Sequence, residues 1–181
     1  MKIQNACLTV IDMQNDFLFD RGFYAQRGHG MAPLKKLYQK LSASLLSLMQ
    51  SYPTVFVVSE FTEKQFGADK SMCIKNTWGS EFALEHLFPK TIITKHEWSA
   101  FSSDAYKTYL KENNFSTIIL MGVLTEWCIK HTALDGLQHK FDVIVVEDGI
   151  ATGSDEEQNS IKTFNELKQK GVKFVTLHDL F

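Results

Sequence analysis

A cysteine in this 181-residue chain has the sequence context of a catalytic nucleophile. Cys128 follows an apolar run that predicts a buried strand, and a helical pattern begins at about Thr125, which is a predicted N-cap. The cysteine would then lie in the first turn of that helix, where backbone N–H groups and the helix dipole favour a thiolate. Packing as a small core residue is the alternative interpretation of Cys128.

Asp12 and Lys95 also come directly after predicted strands, Cys7–Ile11 and Thr91–Thr94. If the strands of the chain are parallel, their carboxyl ends share one rim of the sheet, where α/β proteins place their sites. An acid, a lysine and a thiol on one rim suit acyl transfer at an amide or related carbon, with Lys95 stabilising the Cys128 thiolate and Asp12 exchanging the proton. A purely structural Asp12–Lys95 ion pair is the alternative.

Short apolar runs alternate with helical patterns along the whole chain, and this alternation predicts the fold. The predicted strands are 7–11, 54–58, 91–94, 117–121, 141–146 and 172–177. One predicted helix is opened by Pro33, and its inner face carries Leu34, Leu37, Leu41, Leu45 and Leu48. A second runs from Ser102 or Ser103 to Glu112, and a third from Glu126 to Leu137. A fourth runs from Asp155 to Lys170, with Ile161, Phe164 and Leu167 on its inner face. A short helical piece is predicted between Glu81 and Leu87. We therefore expect a single domain, residues 1–181, with a doubly wound α/β/α fold in three layers and a six-stranded parallel sheet in the order 3-2-1-4-5-6.

Composition excludes several classes of function. The net charge of −2 and the scattered basic residues give no reason to expect nucleic acid as a partner. No apolar run approaches the roughly 20 residues that a membrane span needs. The three cysteines form neither a disulfide framework nor a zinc-binding pair. The sequence thus predicts a cytoplasmic protein that acts on a small molecule.

Three motifs, each at a predicted strand end and in the right order, make the chain similar to the isochorismatase-like cysteine hydrolases. This superfamily includes nicotinamidases, N-carbamoylsarcosine amidohydrolases and ureidoacrylate hydrolases. The motifs are Val10-Ile11-Asp12-Met13-Gln14-Asn15-Asp16-Phe17, Lys95 followed by Ser99-Ala100-Phe101, and Gly122-Val123-Leu124-Thr125 leading to Cys128 and Thr132-Ala133-Leu134-Asp135. The resemblance extends over nearly the whole chain.

The resemblance implies a catalytic triad of Asp12, Lys95 and Cys128, in which the cysteine attacks, ammonia or an amine leaves, and water hydrolyses the thioester. It also implies a non-proline cis peptide between Val123 and Leu124, with the backbone amides of Leu124 and Cys128 as the oxyanion site. The side chains expected to line the substrate pocket are Phe17, Trp98 and Trp127. Many relatives are dimers or tetramers, so a homodimer or homotetramer is expected.

The sequence departs from the nicotinamidase pattern after the second strand. Nicotinamidases carry an Asp-x-His motif there, whereas this chain has Ser59-Glu60-Phe61-Thr62. Glu60 alone is a poor metal site, so no metal and no other cofactor is predicted. Isochorismate-cleaving members lack the cysteine nucleophile, which counts against that reaction. His96, beside Lys95, and Glu60 have no assigned role.

A metal-independent hydrolase of a small amide, ureido or carbamoyl compound is the leading hypothesis. Two alternatives stay open: a thiol-redox or sensing protein that uses Cys128, with Cys7 or Cys73 as the second thiol, and a non-catalytic member of the family.

Overall fold

The computed structural model describes residues 3–68 and 71–181, and in these ranges six strands form one central sheet. The strands are β1 Ala6–Ile11, β2 Thr54–Ser59, β3 Ile92–Lys95, β4 Thr117–Val123, β5 Asp142–Ala151 and β6 Lys173–Val175. All neighbouring strands are parallel, and their order is β3-β2-β1-β4-β5-β6. The predicted sheet and its order are confirmed. The winding reverses between β1 and β4, so the crevice expected in such sheets lies at the carboxyl ends of these two strands.

Helices cover the two faces of this sheet. Among the described residues the α-helices are α1 Asn15–Leu18, α2 Phe23–Gln26, α3 Ala32–Ser51, α4 Asp104–Glu112, α5 Lys130–Gln138 and α6 Glu157–Gln169. Short 3₁₀ turns at Trp78–Ser80 and Glu85–Leu87 occupy the region where one helical piece was predicted. No helix in the described parts of the chain combines the length and the apolar character that crossing a membrane requires.

Two hydrophobic clusters, one on each face of the sheet, make up the core. Along β4, Ile119 and Met121 point into one cluster, and Ile118 and Leu120 point into the other. The first cluster contains the predicted stripe of α3, which is Leu34, Leu37, Leu41, Leu45 and Leu48. The second contains apolar side chains of α4, α5 and α6. Successive residues of a strand face opposite ways, so this division confirms the three-layer architecture.

Strand β5 extends further than the sequence predicted. Instead of ending at Val146, it continues through Glu147 and Asp148 and pairs Ile150 with Gly122 of β4, across a register shift. Glu147 is exposed and Asp148 half-buried, so the strand carries polar side chains through its middle without losing its pairing. A bulge accommodates such residues, and polarity alone therefore gave the wrong end.

The inner face of α6 was predicted correctly at Phe164 and Leu167, which belong to or pack against the second cluster, but incorrectly at Ile161. Ile161 is 47% exposed, whereas Thr163 and Leu167 are buried. The predicted set was spaced by three residues, and a row of that spacing drifts around a helix with 3.6 residues per turn. Thr163 and Leu167 are four residues apart and share the face that contacts the sheet.

Gly122 lies inside β4, where the backbone of the neighbouring strand leaves no room for a side chain. Its φ is +114°, and a Cβ atom placed on it would lie 2.0 Å from the backbone oxygen of Ile11. The glycine therefore permits the close contact of β1 and β4 immediately before the turn that carries Cys128.

Replacing Gly122 with alanine is expected to lower the free energy of unfolding by roughly 2–6 kcal/mol, because backbone strain and a clash with Ile11 act together. Gly171→Ala is the matched control, since Gly171 also has a positive φ, +95°, but a Cβ atom placed on it would have no neighbouring atom within 4 Å. The control should lose only about 1–2 kcal/mol. Urea unfolding monitored by circular dichroism measures both values, and equal losses would show that the clash contributes nothing.

Candidate active site

Asp12 is the first residue after β1 and is completely buried. Its φ is +54°, a left-handed conformation that aspartate tolerates better than most residues. Its backbone N–H donates to the carbonyl oxygen of Val57 at 2.8 Å, which keeps the residue aligned with β2. The carboxylate is thereby held at the rim of the sheet, beneath the surface.

Lys95 is the last residue of β3 and is also completely buried. Its Nζ lies 3.0 Å from Oδ2 of Asp12 and 3.4 Å from Sγ of Cys128. It also donates to Oγ of Ser59 at 2.7 Å and to the carbonyl oxygen of Glu97 at 3.0 Å. The ammonium is therefore surrounded by acceptors, and it contacts both the carboxylate of Asp12 and the thiol of Cys128 directly.

Cys128 lies in a π-helical turn, Thr125–Ile129, that precedes α5. The N–H of Ile129 donates to the carbonyl oxygen of Leu124 at 3.2 Å, five residues back along the chain. The N-cap of the turn is Leu124, and it makes no side-chain capping bond, so the predicted N-cap at Thr125 is wrong. The Val123–Leu124 peptide bond is cis, which confirms the expectation from the family resemblance. π-Turns of this kind are frequent at functional sites.

The electrostatics of the site favour a charged lysine and a neutral thiol at rest. Burial alone would lower the pKa of Lys95, but the charges of Asp12 and Cys128 outweigh burial and raise it above its ordinary value. Burial, and then the charge of Asp12, raise the pKa of Cys128, while Lys95 acts in the opposite direction. Burial therefore opposes the thiolate that the helix start was predicted to favour. A nucleophilic Cys128 would need a neighbouring group to take its proton.

Ser59 contacts two of these three groups, Asp12 and Lys95, and Gln14 holds the backbone of Ser59. Oγ of Ser59 donates to Oδ1 of Asp12 at 2.8 Å and accepts from Lys95. The side-chain amide of Gln14 bonds to both backbone groups of Ser59, at 2.7 and 2.9 Å. In the sequence, Gln14 stands out only as part of a motif, and Ser59 only where a metal motif is absent. The position of Ser59 at a strand end, opposite Lys95, was the signal that could have identified it.

A cavity of about 330 Å³ lies beside the turn that carries Cys128. Its lining includes Trp98 and Trp127, whose side chains were expected to contact substrate, and Leu124, whose backbone amide was expected at the oxyanion site; Cys128 is not part of the lining. The remaining lining residues are Phe23, Tyr24, Arg27, His29 and Met72. Phe17 is 1% exposed, belongs to the hydrophobic core and does not line this cavity.

Aromatic rings cover the buried polar groups. The ring of Trp98 stacks on Phe66 with centroids 3.7 Å apart and contacts Trp127 at 5.1 Å. Phe61 packs against Trp98, and its ring centroid is 5.2 Å from Nζ of Lys95. These rings separate the ammonium from solvent, which strengthens its interactions with Asp12 and Cys128.

The end of β2 does not fit a metal ion. Within residues 59–62, all of which the structure describes, Ser59 is engaged by Asp12 and Lys95, and the carboxylate of Glu60 pairs with Lys75 at 3.1 Å. Nδ1 of His96 lies 2.8 Å from the backbone oxygen of Glu60. Neither Glu60 nor His96 lines the cavity.

A different group, which no sequence motif indicates, has the composition of a metal site. His29, Asp155 and Glu156 place ligand atoms within 4.8 Å of one another. Nδ1 of His29 already bonds to Asp155 at 2.8 Å, and the carboxylate of Glu156 accepts a bond from Asn159. These side chains therefore satisfy one another and their neighbours at the surface.

Comparison with known proteins gives a consistent result. A family model described as "Isochorismatase domain" matches residues 6–179. An Arabidopsis thaliana protein named "probable inactive nicotinamidase" is 28% identical over 193 aligned positions, which cover 97% of this chain and 94% of that protein.

Two solved structures have the same fold. The pyrazinamidase of Pyrococcus horikoshii in complex with zinc superposes with a TM-score of 0.80 and 24% identity, covering 95% of this chain and 99% of that one. The N-carbamoylsarcosine amidase of Thermoplasma acidophilum has a TM-score of 0.78 and 24% identity, covering 98% and 97%. The family model, the sheet order and the Asp12–Lys95–Cys128 contacts agree, and the chain belongs to the isochorismatase-like hydrolase family.

Proposed function

We propose that this chain is a cysteine-dependent hydrolase of a small amide, ureido or carbamoyl compound. One observation carries the proposal: Nζ of Lys95 lies 3.0 Å from Asp12 and 3.4 Å from Cys128, in a set of side chains that is almost fully buried. A structural ion pair would need only the acid and the lysine. The thiol at the same ammonium is what a nucleophilic mechanism requires.

In the first half of the proposed reaction, Oδ2 of Asp12 accepts the proton of Cys128. This oxygen lies 3.0 Å from Nζ of Lys95, whereas Oδ1 is the oxygen that accepts from Ser59. The thiolate then forms a bond to the carbonyl carbon, and the carbonyl electrons move to the oxygen, which the backbone amides of Leu124 and Cys128 stabilise. Removing one donor from such a site typically costs about 3–4 kcal/mol of transition-state stabilisation.

In the second half, Asp12 gives its proton to the leaving nitrogen as the carbon–nitrogen bond breaks, and a thioester remains on Cys128. Asp12 then takes a proton from water as its oxygen attacks the thioester; the carbon–sulfur bond breaks, the acid leaves, and Asp12 returns the proton to the sulfur, which restores the thiol and the carboxylate. Lys95 keeps its charge throughout and balances whichever of its two partners is negative. Protein groups fill each of these roles, so the proposed mechanism is independent of a metal ion.

A panel of primary amides, ureido compounds and N-carbamoyl compounds, scored by release of ammonia, tests the proposal. We expect hydrolysis of at least one class, unchanged after dialysis against a chelator, with Cys128→Ala as the blank. A cavity of about 330 Å³ favours small compounds. The proposal fails if the wild-type protein hydrolyses no member of the panel and iodoacetamide does not modify Cys128.

Trp127 is expected to contribute to substrate binding, because it lines the cavity and is 42% exposed. Trp127→Ala should raise KM up to roughly tenfold and change kcat less, since an aromatic contact contributes about 0.5–1.5 kcal/mol. Leu46→Ala, which removes an apolar side chain of α3 that is 55% exposed, should leave both constants unchanged. Steady-state kinetics on the best substrate of the panel provides the comparison, and an unchanged KM would remove Trp127 from the pocket.

The two alternative functions, a thiol-redox sensor and a non-catalytic member of the family, predict different experimental results. Burial raises the pKa of Cys7 to about 12 and the pKa of Cys73 above its ordinary value, so neither thiol is suited to resolve a disulfide. Mass spectrometry after mild peroxide treatment would detect a sulfenic acid or disulfide at Cys128 if the protein were a sensor. A Lys95 more than one hydrogen-bonded step from Cys128 would favour the non-catalytic alternative; the two are in contact, which supports the catalytic proposal. A homo-oligomeric, cytoplasmic protein stays a prediction.

A further inference from the structure

We propose that Ser59 is a positioning residue for this chemistry, because it holds one oxygen of Asp12 and leaves the other to accept the thiol proton. The inference rests on the proposed function and adds a residue to its site. Ser59 does not contact the sulfur; it would act through Asp12 and Lys95.

The direction of each hydrogen bond at Ser59 follows from the chemistry of its partners. An ammonium has only donors, so Oγ of Ser59 accepts from Nζ of Lys95 at 2.7 Å. The single hydroxyl hydrogen is then available to Oδ1 of Asp12, which lies 2.8 Å away. Oδ1 is thereby occupied, and Oδ2 is the oxygen that can receive the proton of Cys128.

Gln14 prevents the Ser59 backbone from moving away from this arrangement. Its Oε1 accepts from the N–H of Ser59 at 2.7 Å, and its Nε2 donates to the Ser59 carbonyl oxygen at 2.9 Å. The same Nε2 donates to the carbonyl oxygen of Ser80 at 2.8 Å. Both Gln14 and Ser59 are buried, so this pairing continues the contact of β1 and β2 beyond the last residue of β1. The backbone that carries the Ser59 hydroxyl is therefore held in a fixed position.

The hydroxyl has a consequence for pH dependence. Its hydrogen stabilises the ionised Asp12 carboxylate, so the carboxylate becomes easier to protonate when the hydroxyl is removed. A protonated Asp12 cannot accept the thiol proton, and the reactivity of Cys128 is then lost at a higher pH than in the wild type. Besides Lys95 and Cys128, the titratable group coupled to Asp12 is Cys73, on which Asp16 also acts, and the substitutions leave both Cys73 and Asp16 in place.

Alkylation of Cys128 by iodoacetamide, measured against pH in the absence of substrate, tests the proposal directly. In Ser59→Ala the acidic limb of the rate profile should move up by about one pH unit, the effect of losing one bond to a charged group. On an identified substrate, kcat should fall roughly 10- to 100-fold with KM changed less than about threefold. Ser42→Ala is the control, because Ser42 Oγ is buried on α3 without a hydrogen-bond partner among the described residues. This variant should keep the wild-type profile.

A pair of isosteric variants guards against a folding defect in Ser59→Ala. Ser59→Thr keeps a hydroxyl and Ser59→Val lacks one, and both have the same shape. The threonine variant should retain the wild-type acidic limb, and the valine variant should show the shifted limb. Identical limbs in the two variants would overturn the role of Ser59. If instead wild-type Cys128 resists alkylation at every pH, the proposed function itself fails, so the two failures are distinguishable.

Discussion

Replacing Cys128 with alanine is expected to lower hydrolysis by at least about 10⁴-fold, to the level of the buffer, because the proposed bond to substrate cannot form. The loss should appear in kcat, since Cys128 as a residue is 2% exposed and contributes little surface to substrate binding. Ammonia release on the best substrate of the panel measures it. Cys128→Ser gives a stricter test, because it keeps the size of the side chain and replaces only the sulfur.

Cys7→Ala is the matched control for this experiment. Cys7 is a buried cysteine of β1 in the same hydrophobic cluster as Cys128. Among the described residues, the hydrogen bonds of its sulfur are to Leu8 and Thr9, and it forms none with Asp12 or Lys95. Its substitution should cost some stability and leave kcat unchanged. Full activity in Cys128→Ala, or equal losses in both variants, would contradict the assignment of Cys128 as nucleophile.

Lys95→Met is expected to have the second largest effect, and to act on both stability and activity. Removing one partner of a buried ion pair leaves an uncompensated charge, which costs about 3–5 kcal/mol. Here the remaining charge is the carboxylate of Asp12, which is completely buried. Activity should fall to the level of Cys128→Ala, because the thiolate would form beside that carboxylate without a compensating cation. Urea unfolding and ammonia release measure the two effects.

The sign of the pH dependence follows from the raised pKa of Lys95 in the folded protein. The folded state then binds the lysine proton more tightly than the unfolded state, so the stabilisation is fully present below the ordinary lysine pKa of about 10.4. It is lost as the pH rises through the folded value. The difference in stability between wild type and Lys95→Met should therefore remain through the neutral range and shrink only in strong alkali.

The double variant Asp12→Asn/Lys95→Met separates the two effects. It removes both charges of the pair, so it should regain most of the lost stability while remaining inactive. Lys107→Met is a control for the loss of a lysine, because the Lys107–Asp104 pair lies at the surface, where solvent screens it. If Lys95→Met and this control had the same free energy of unfolding, the buried pair would contribute no more to stability than a surface pair.

Local patterns were sufficient for the architecture. The strand ends at Ile11 and Met121 and the leucine face of α3 depend on neighbouring residues in the chain, and the structure contains them with small shifts of boundary. The sheet order followed from the alternation of strands and helices, which admits few topologies. Ile161 on the α6 face and the end of β5 were predicted wrongly, because they depend on what lies across from each residue.

The sequence by itself determined which residues meet: Asp12, Lys95 and Cys128 each follow a strand, and parallel strands end on the same rim. Only the tertiary structure decided how deeply that rim is buried, and burial raises the pKa of Cys128, which opposes the thiolate that the helix start was predicted to favour. The tertiary structure also decided the contacts of Ser59, whose partners are 36 and 47 positions away in the chain. The strand-end position of Ser59 could place it on the rim, but its contacts exist only where β1, β2 and β3 converge.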